Sequence, residues 1–175
     1  QQKTKKVSRS HKIIVSVSKL FTILGGKWTT YRKMGEDLVN SIEKELGWEP
    51  VKCATANLFI HGYQNNNDWN DPLYFYGSDA NLIREKINGN TNEWISEKLK
   101  IHKAQIEWAV EHEMARTVED FLSRRTRALL LNARESCRIA PQVASIMANK
   151  SGRDKKWEEE QVSLFNQLAN QYILK

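Results

Sequence analysis

Eight residues, Gly25-Gly26-Lys27-Trp28-Thr29-Thr30-Tyr31-Arg32, divide two hydrophobic patterns of different period, and this break constrains the fold more than any other feature. Upstream, the run from Lys12 to Leu24 is rich in β-branched residues and reads as two short strands or a hairpin. Downstream, Met34, Leu38, Val39, Ile42 and Leu46 recur at helical spacing. A glycine pair between strand and helix lets another group approach the backbone closely. The helix it opens directs unpaired N–H groups and a partial positive charge outward, and Lys27 adds a full charge. That arrangement suits an anionic or electron-rich group. A plain glycine turn with an exposed lysine accounts for the same residues.

The spacing predicts a helix from about Thr29 to Leu46, with Thr29 or Thr30 as its cap and Gly47 and Pro50 as its stop. From Trp48 to Pro72 the pattern is irregular, and the polar stretch Asn65 to Pro72 reads as a surface loop. Beyond it the chain is helical. Ser78 or Asp79 is placed to cap a helix through Ile87, and Glu93 to Leu99 forms a short segment. Lys103 to Ala115 carries Ile106, Ala109, Val110 and Met114 on one face. Thr117 and Asp120 form a capping-box variant ahead of Phe121, Leu122, Leu129, Leu130 and Leu131, all candidate core residues. Asn132 caps the next helix, in which Pro141 should produce a kink or a restart. Asp154 caps the last, with Trp157, Leu164, Leu168 and Tyr172 facing the core.

A chain of 175 residues is long enough for one good core and a small appendage. No apolar run approaches the length of a membrane span. Cys53 and Cys137 lie far apart, so reduced thiols in an intracellular protein are the default. The net charge of +6 admits an anionic partner. Much of the excess sits in Lys3, Lys5, Lys6 and Arg9, read as a solvated tail, and in Arg124, Arg125, Arg127, Arg134 and Arg138. Neither cluster accompanies a nucleic-acid-binding motif, so no nucleic-acid partner is expected.

No metal site is expected, because His11, His61, His102 and His112 are scattered and neither cysteine belongs to a paired motif. Cys137 has no neighbouring base, which removes nucleophilic catalysis. The arginine block has two readings. Arg124, Arg125 and Arg127 can grip a phosphate by forked hydrogen bonds, or pair with Glu113, Glu119, Asp120 and Glu135. Alternating acids and bases favour the structural network.

Three segments together carry a resemblance. The glycine–lysine octapeptide, Tyr74-Phe75-Tyr76-Gly77-Ser78-Asp79, and the block Glu113-Met114-Ala115-Arg116-Thr117-Val118-Glu119-Asp120 running on to Arg124-Arg125-Thr126-Arg127 occur in the order seen in FAD-dependent glycerol-3-phosphate dehydrogenases. The chain resembles the C-terminal portion of that family. Two positions depart from it: Lys19 replaces a small residue, and Gly35 replaces the usual alanine.

The resemblance implies a mainly α fold, a multi-helix C-terminal domain preceded by a strand–turn–helix remnant of the flavin domain. Its boundaries are 1–47 for the remnant, 48–77 for linker and ordered loops, and 78–175 for the helical domain. The implied parent oxidises sn-glycerol 3-phosphate to dihydroxyacetone phosphate, with hydride passing to FAD and electrons to a quinone. A glycerol-3-phosphate oxidase using oxygen is the alternative within the class, and a stand-alone helical interaction or nucleic-acid-binding module the alternative outside it. Gly25, Gly26, Trp28 and Thr29 are implied to line the flavin edge, and Lys27 to bind the substrate phosphate or support the flavin. The catalytic base is not identified. No Gly-x-Gly-x-x-Gly occurs, and the chain begins on Gln1-Gln2-Lys3, so a severed, inactive fragment without bound FAD is expected. A cytoplasmic location peripheral to the inner face of the cell membrane, and self-association of the fragment through exposed strands, complete the expectations.

Overall fold

The computed structural model describes residues 10–174; the expected basic tail, residues 1–9, lies outside them. The chain is mainly helical and forms two compact units, one ending at Ile60 and the other beginning at His61.

In the first unit, β1 (His11–Val15) pairs antiparallel with β2 (Phe21–Gly25), with His11 opposite Gly25 and Val15 opposite Phe21. The turn between them closes through Ser16, whose amide donates to the Leu20 carbonyl at 3.0 Å and whose carbonyl accepts from Lys19 at 3.0 Å. Lys19 adopts φ 63°, a left-handed conformation that glycine or asparagine takes at less strain. One 3-10 turn, Trp28–Thr30, leads into α1 (Tyr31–Leu46), so the α-helix starts two residues later than the spacing predicts. Thr30 is the reason. Its hydroxyl bonds back to Lys27 and leaves no side-chain cap for α1. Met34, Leu38 and Ile42 are half-buried, but Val39 and Leu46 remain exposed. The polar face carries a ladder in which Arg32 and Lys33 pair with Glu36 and Asp37 at 2.8–3.2 Å.

The second unit holds two hydrophobic clusters. In the smaller, Leu73, Tyr76, Ala80, Ile83 and Trp108 join the 3-10 segment Tyr74–Asp79, α2 (Ala80–Gly89) and α3 (Lys103–His112). The larger is built on Phe121, Leu122, Ile139, Val143, Met147 and Phe165, from a π-helical turn (Asp120–Arg125), α5 (Ala133–Ser151) and α6 (Lys155–Ala169). Between the π turn and α5 lies one short helix, α4 (Ala128–Leu131). The caps predicted for α5 and α6 form: Asn132 accepts from the Glu135 amide at 3.0 Å, and Asp154 from the Trp157 amide at 2.9 Å. Thr117 and Asp120 bond reciprocally at 3.0 Å, and this box opens the π turn.

Several expectations require correction. The segment Glu93 to Leu99 contains β3 (Trp94–Ser96), which pairs antiparallel with β4 (Ile101–His102) across an irregular register. α3 stops at His112 because the amides of Glu113 and Ala115 both fold back to the Ala109 carbonyl, at 3.2 and 2.9 Å. Met114 thereby takes φ 56° and points to solvent rather than onto the apolar face. Leu130, Leu131, Leu164 and Tyr172 are also exposed, so none is a core residue. Pro141 marks no restart. α5 runs through it without interruption, with the ring on the exposed side.

Candidate functional site

At the end of β2 the glycine pair turns the chain, with Gly25 and Gly26 both at φ 78°. A Cβ on Gly26 would lie 2.4 Å from Met34 Sδ, and one on Gly25 would lie 3.0 Å from the Ser10 carbonyl oxygen. The close approach that the glycines permit is therefore used by the protein's own Met34 and Ser10. Lys27 follows in an extended conformation, with its amide donating to Thr30 Oγ1 at 3.2 Å, and that hydroxyl donating to the Lys27 carbonyl at 2.9 Å. The turn is thus rigidly closed on its inner side.

Its outer side is unpaired. The Lys27 ammonium has no ion-pair partner, and the amides of Trp28 and Thr29 have no acceptor, among the described residues. Trp28 is almost fully exposed, and its ring lies 6.0 Å from that of Tyr31. Chemically, this is one cation and two amide donors on a short stretch of fixed backbone. Arg32 is a pairing residue, as expected, bonded to Glu36 at 2.8 Å and Thr55 at 3.2 Å. The Cys53 thiol is held below its usual value by hydrogen bonds from Thr55.

The arginine block is mostly committed to structure. Arg124 binds Glu119 at 2.6 Å and Asp120 at 2.9 Å. Arg125 grips the backbone carbonyl of Glu113, not its carboxylate, through Nε and Nη2 at 3.1 and 2.6 Å. Arg138 makes a forked bond to Glu135, which also accepts from Ser96 at 2.5 Å. The Arg138 guanidinium and the Ser96 hydroxyl hold the Glu135 carboxyl down at about 2. Arg127 breaks the pattern: it adopts φ 57° and has no acidic partner among the described residues.

Burial pushes the Glu113 carboxyl up, against the opposing charge of Arg125, and its Oε2 is buried without a hydrogen-bond partner. Burial, and then the negative charge of Glu113, push the Tyr76 phenol up as well. Sequence spacing had assigned Glu113 to an arginine, and no one-dimensional signal reveals that its carbonyl takes the arginine instead. Two further contacts escaped it. A Cβ on Gly77 would lie 1.8 Å from the Gly62 carbonyl oxygen, so the Tyr-Gly-Ser-Asp segment requires glycine for backbone-on-backbone packing. Asp79 makes no side-chain cap for α2 and instead binds His61 Nε2 at 2.6 Å.

The remaining histidines are structural or exposed. His102 is fully buried, with Nδ1 accepting from the Ala104 amide at 3.1 Å and Nε2 donating to the Asn90 carbonyl at 2.9 Å. His11 faces Asp37 at 3.1 Å, and His112 stacks on Trp108 with centroids 4.0 Å apart. No group of three or more His, Cys, Asp or Glu side chains is placed to share a metal ion among the described residues. No helix there is long and apolar enough to cross a membrane.

The family model described as the C-terminal domain of alpha-glycerophosphate oxidase matches residues 18–161. The chain belongs to this family. Its curated relatives include the protein named glycerol-3-phosphate dehydrogenase, mitochondrial, of Mesocricetus auratus, 32% identical over 89% of this chain and 24% of the relative. The probable mitochondrial glycerol-3-phosphate dehydrogenase of Dictyostelium discoideum is 34% identical over 91% of the chain and 28% of the relative. The Schizosaccharomyces pombe protein of the same mitochondrial name is 29% identical over 97% of the chain and 32% of the relative. The chain thus spans about a quarter to a third of the relatives it matches, as a C-terminal portion. Both halves of the glycine–lysine octapeptide and the whole arginine block fall inside the family match.

Proposed function

We propose that this chain is the C-terminal part of a flavoenzyme that oxidises sn-glycerol 3-phosphate to dihydroxyacetone phosphate and passes the electrons to a quinone. Residues 1–47 belong, in this reading, to the flavin and substrate domain, 48–77 to a connecting segment, and 78–175 to a helical cap. Family membership supports the reading, as do the names of the relatives. The observation that carries it to particular residues is the unpaired outer side of the Lys27 turn: one ammonium and the Trp28 and Thr29 amides, rigidly backed by Thr30.

These residues fit one edge of a flavin, and FAD, when bound, supplies the hydride acceptor. Gly25 and Gly26 set the direction of the turn, and Trp28 and Thr29 present N–H dipoles to negative charge. Lys27 contributes a full positive charge at the same place, either to that edge or to the phosphate of the substrate. The donors are fixed before charge develops, so little reorganisation accompanies its appearance. With most flavin contacts lying outside this chain, the chain alone is expected to be inactive and to bind no FAD. Peripheral membrane association follows from the need to meet a lipid-dissolved quinone. An oxygen-using oxidase is the second reading, favoured by the description of the matching family model; oxygen uptake against reduction of a quinone analogue separates the two.

The test is Lys27→Met in the full-length enzyme. Loss of a charge-assisted contact to a phosphate should raise KM at least about tenfold with FAD content unchanged. A fall in kcat with unchanged KM and a lower flavin potential would assign Lys27 to the flavin instead. Wild-type kinetics would remove Lys27 from the site altogether.

A further inference from the structure

The second unit contains a cavity of about 900 Å³ that the proposed oxidation does not use. One wall is aromatic, formed by Trp69, Tyr74 and Phe75. Neighbouring rings are in contact but inclined, with centroids 5.4 Å apart and planes at 52° for Trp69 and Tyr74, and 5.7 Å apart and at 87° for Tyr74 and Phe75, so each offers its own face or edge. The lining is also cationic, with Lys98, Lys100, Arg124, Arg125 and Arg127, and among the described residues no acidic side chain lines the space. The volume lies within the range of small-molecule sites.

The cations differ in how free they are. Arg124 is neutralised by Glu119 and Asp120, and Arg125 spends Nε and Nη2 on the Glu113 carbonyl. Lys100 has one exposed contact, to Glu97 at 3.4 Å. Lys98 and Arg127 have no ion-pair partner among the described residues. Two positive charges, Lys98 and Arg127, are therefore unpaired, and a third, Lys100, is held by one exposed contact; they come from the β3–β4 turn and from the start of α4.

The backbone gives a second, independent sign. Among the described residues four that are not glycine have positive φ, and two of them, Lys100 at 52° and Arg127 at 57°, line this one cavity. Glycine or asparagine fills such positions at less strain. The π-helical turn, a rare element found frequently at functional sites, ends at the same cavity with Arg124 and Arg125. Strained backbone held under charged side chains, two of them unpaired, is an arrangement for binding rather than for stability.

We propose that this cavity is a nucleotide site, with a planar base stacked on one ring of the Trp69, Tyr74 and Phe75 cluster and edged by another, and a di- or triphosphate held by Lys98, Lys100 and Arg127. Phosphate needs the cations and the base needs the rings; an inorganic anion would leave the aromatic wall unused. The site shares no residue with the Lys27 turn and does not rest on the function proposed for it.

The experiment uses the full chain, with tryptophan fluorescence and calorimetry at fixed ionic strength, against ATP, ADP, adenosine and pyrophosphate. ATP and ADP should saturate, and adenosine and pyrophosphate should each bind at least about tenfold more weakly than ADP. Arg127→Gly and Lys100→Gly remove charge while easing the backbone, so each should weaken ADP binding about tenfold without loss of thermal stability. The proposal is overturned by no saturable signal up to about 1 mM ATP, by unchanged binding in both glycine variants, or by pyrophosphate binding as tightly as ADP. Lys27→Met should leave ADP binding unchanged, which separates this result from the kinetic test of the Lys27 turn.

Discussion

The two units differ in what holds them. From residue 10 to residue 60 no side chain is buried, although the segment has a regular hairpin, a 16-residue helix and a ladder of ion pairs. From Leu73 onward, Ile83, Ile106, Val118, Phe121, Leu122, Ile139, Val143 and Ala144 are all sealed from solvent. Local regularity is thus equal in the two regions, but only one closes a core around it. Hydrogen bonds and surface ion pairs contribute little net free energy, whereas buried apolar area drives folding. The first unit exposes Trp28, Trp48, Leu58 and Ile60, an apolar surface that contributes nothing to a core of its own.

A pair of core truncations is the strongest way to break this contrast. Phe121→Ala in the second unit should destabilise by about 3–5 kcal/mol, because a fully buried ring leaves a cavity that its neighbours cannot fill. Ile23→Ala on the half-exposed hairpin should cost under about 1 kcal/mol. Urea titrations followed by circular dichroism measure both. Equal losses would mean that the hairpin carries a core of its own.

Pro141 sharpens the contrast within the stable unit. It sits inside α5, where its ring removes one N–H from the helical ladder, yet the helix continues to Ser151. Neighbouring Ile139, Ala140, Val143 and Ala144 are buried and hold the helix in place. Pro141 is itself exposed, so Pro141→Ala should restore the bond without loss of packing. A gain of about 1–3 kcal/mol in the same titration is expected. No gain would show that the proline's stiffening of the unfolded chain offsets the missing bond.

This helix also shows what is legible in one dimension. The caps at Asn132 and Asp154 depend on short-range chemistry and were readable from residue type and spacing. The hairpin and α1 were readable for the same reason. Burial was not. Leu130 and Leu131 look like core residues in sequence, but the left-handed turn at Arg127 rotates the four-residue α4 so that Leu129 alone of the three points inward. At the site, the glycine–lysine turn was legible as a cationic helix entrance. That Met34 fills the space beside Gly26 was not, because a contact eight residues away depends on the exact entry angle of α1. The cationic cavity was least legible of all, since its walls come from separate segments that spacing had read one at a time.

Acid separates the two regions by a smaller margin. In the first unit, hydrogen bonds from Arg32 and Lys33 hold Glu36 and Asp37 below their usual values, but the two carboxylates are only half-buried and their cationic partners exposed, so the effect is screened by salt. Glu135 is buried and ties α5 to β3 through Ser96. Its folded value of about 2 lies below the 4.5 of the free side chain. A depressed carboxyl stabilises the fold fully above the unfolded value, and that contribution falls away as pH drops from 4.5 through about 2. Glu135→Gln keeps the shape, loses the charge, and should cost about 1 kcal/mol at neutral pH. The difference between wild type and variant should shrink steadily over this acid window and should persist at about 0.5 M salt, where exposed pairs are screened. A difference that is flat with pH, or that salt abolishes, would place Glu135 with the surface ladder of α1 rather than with the core of the second unit.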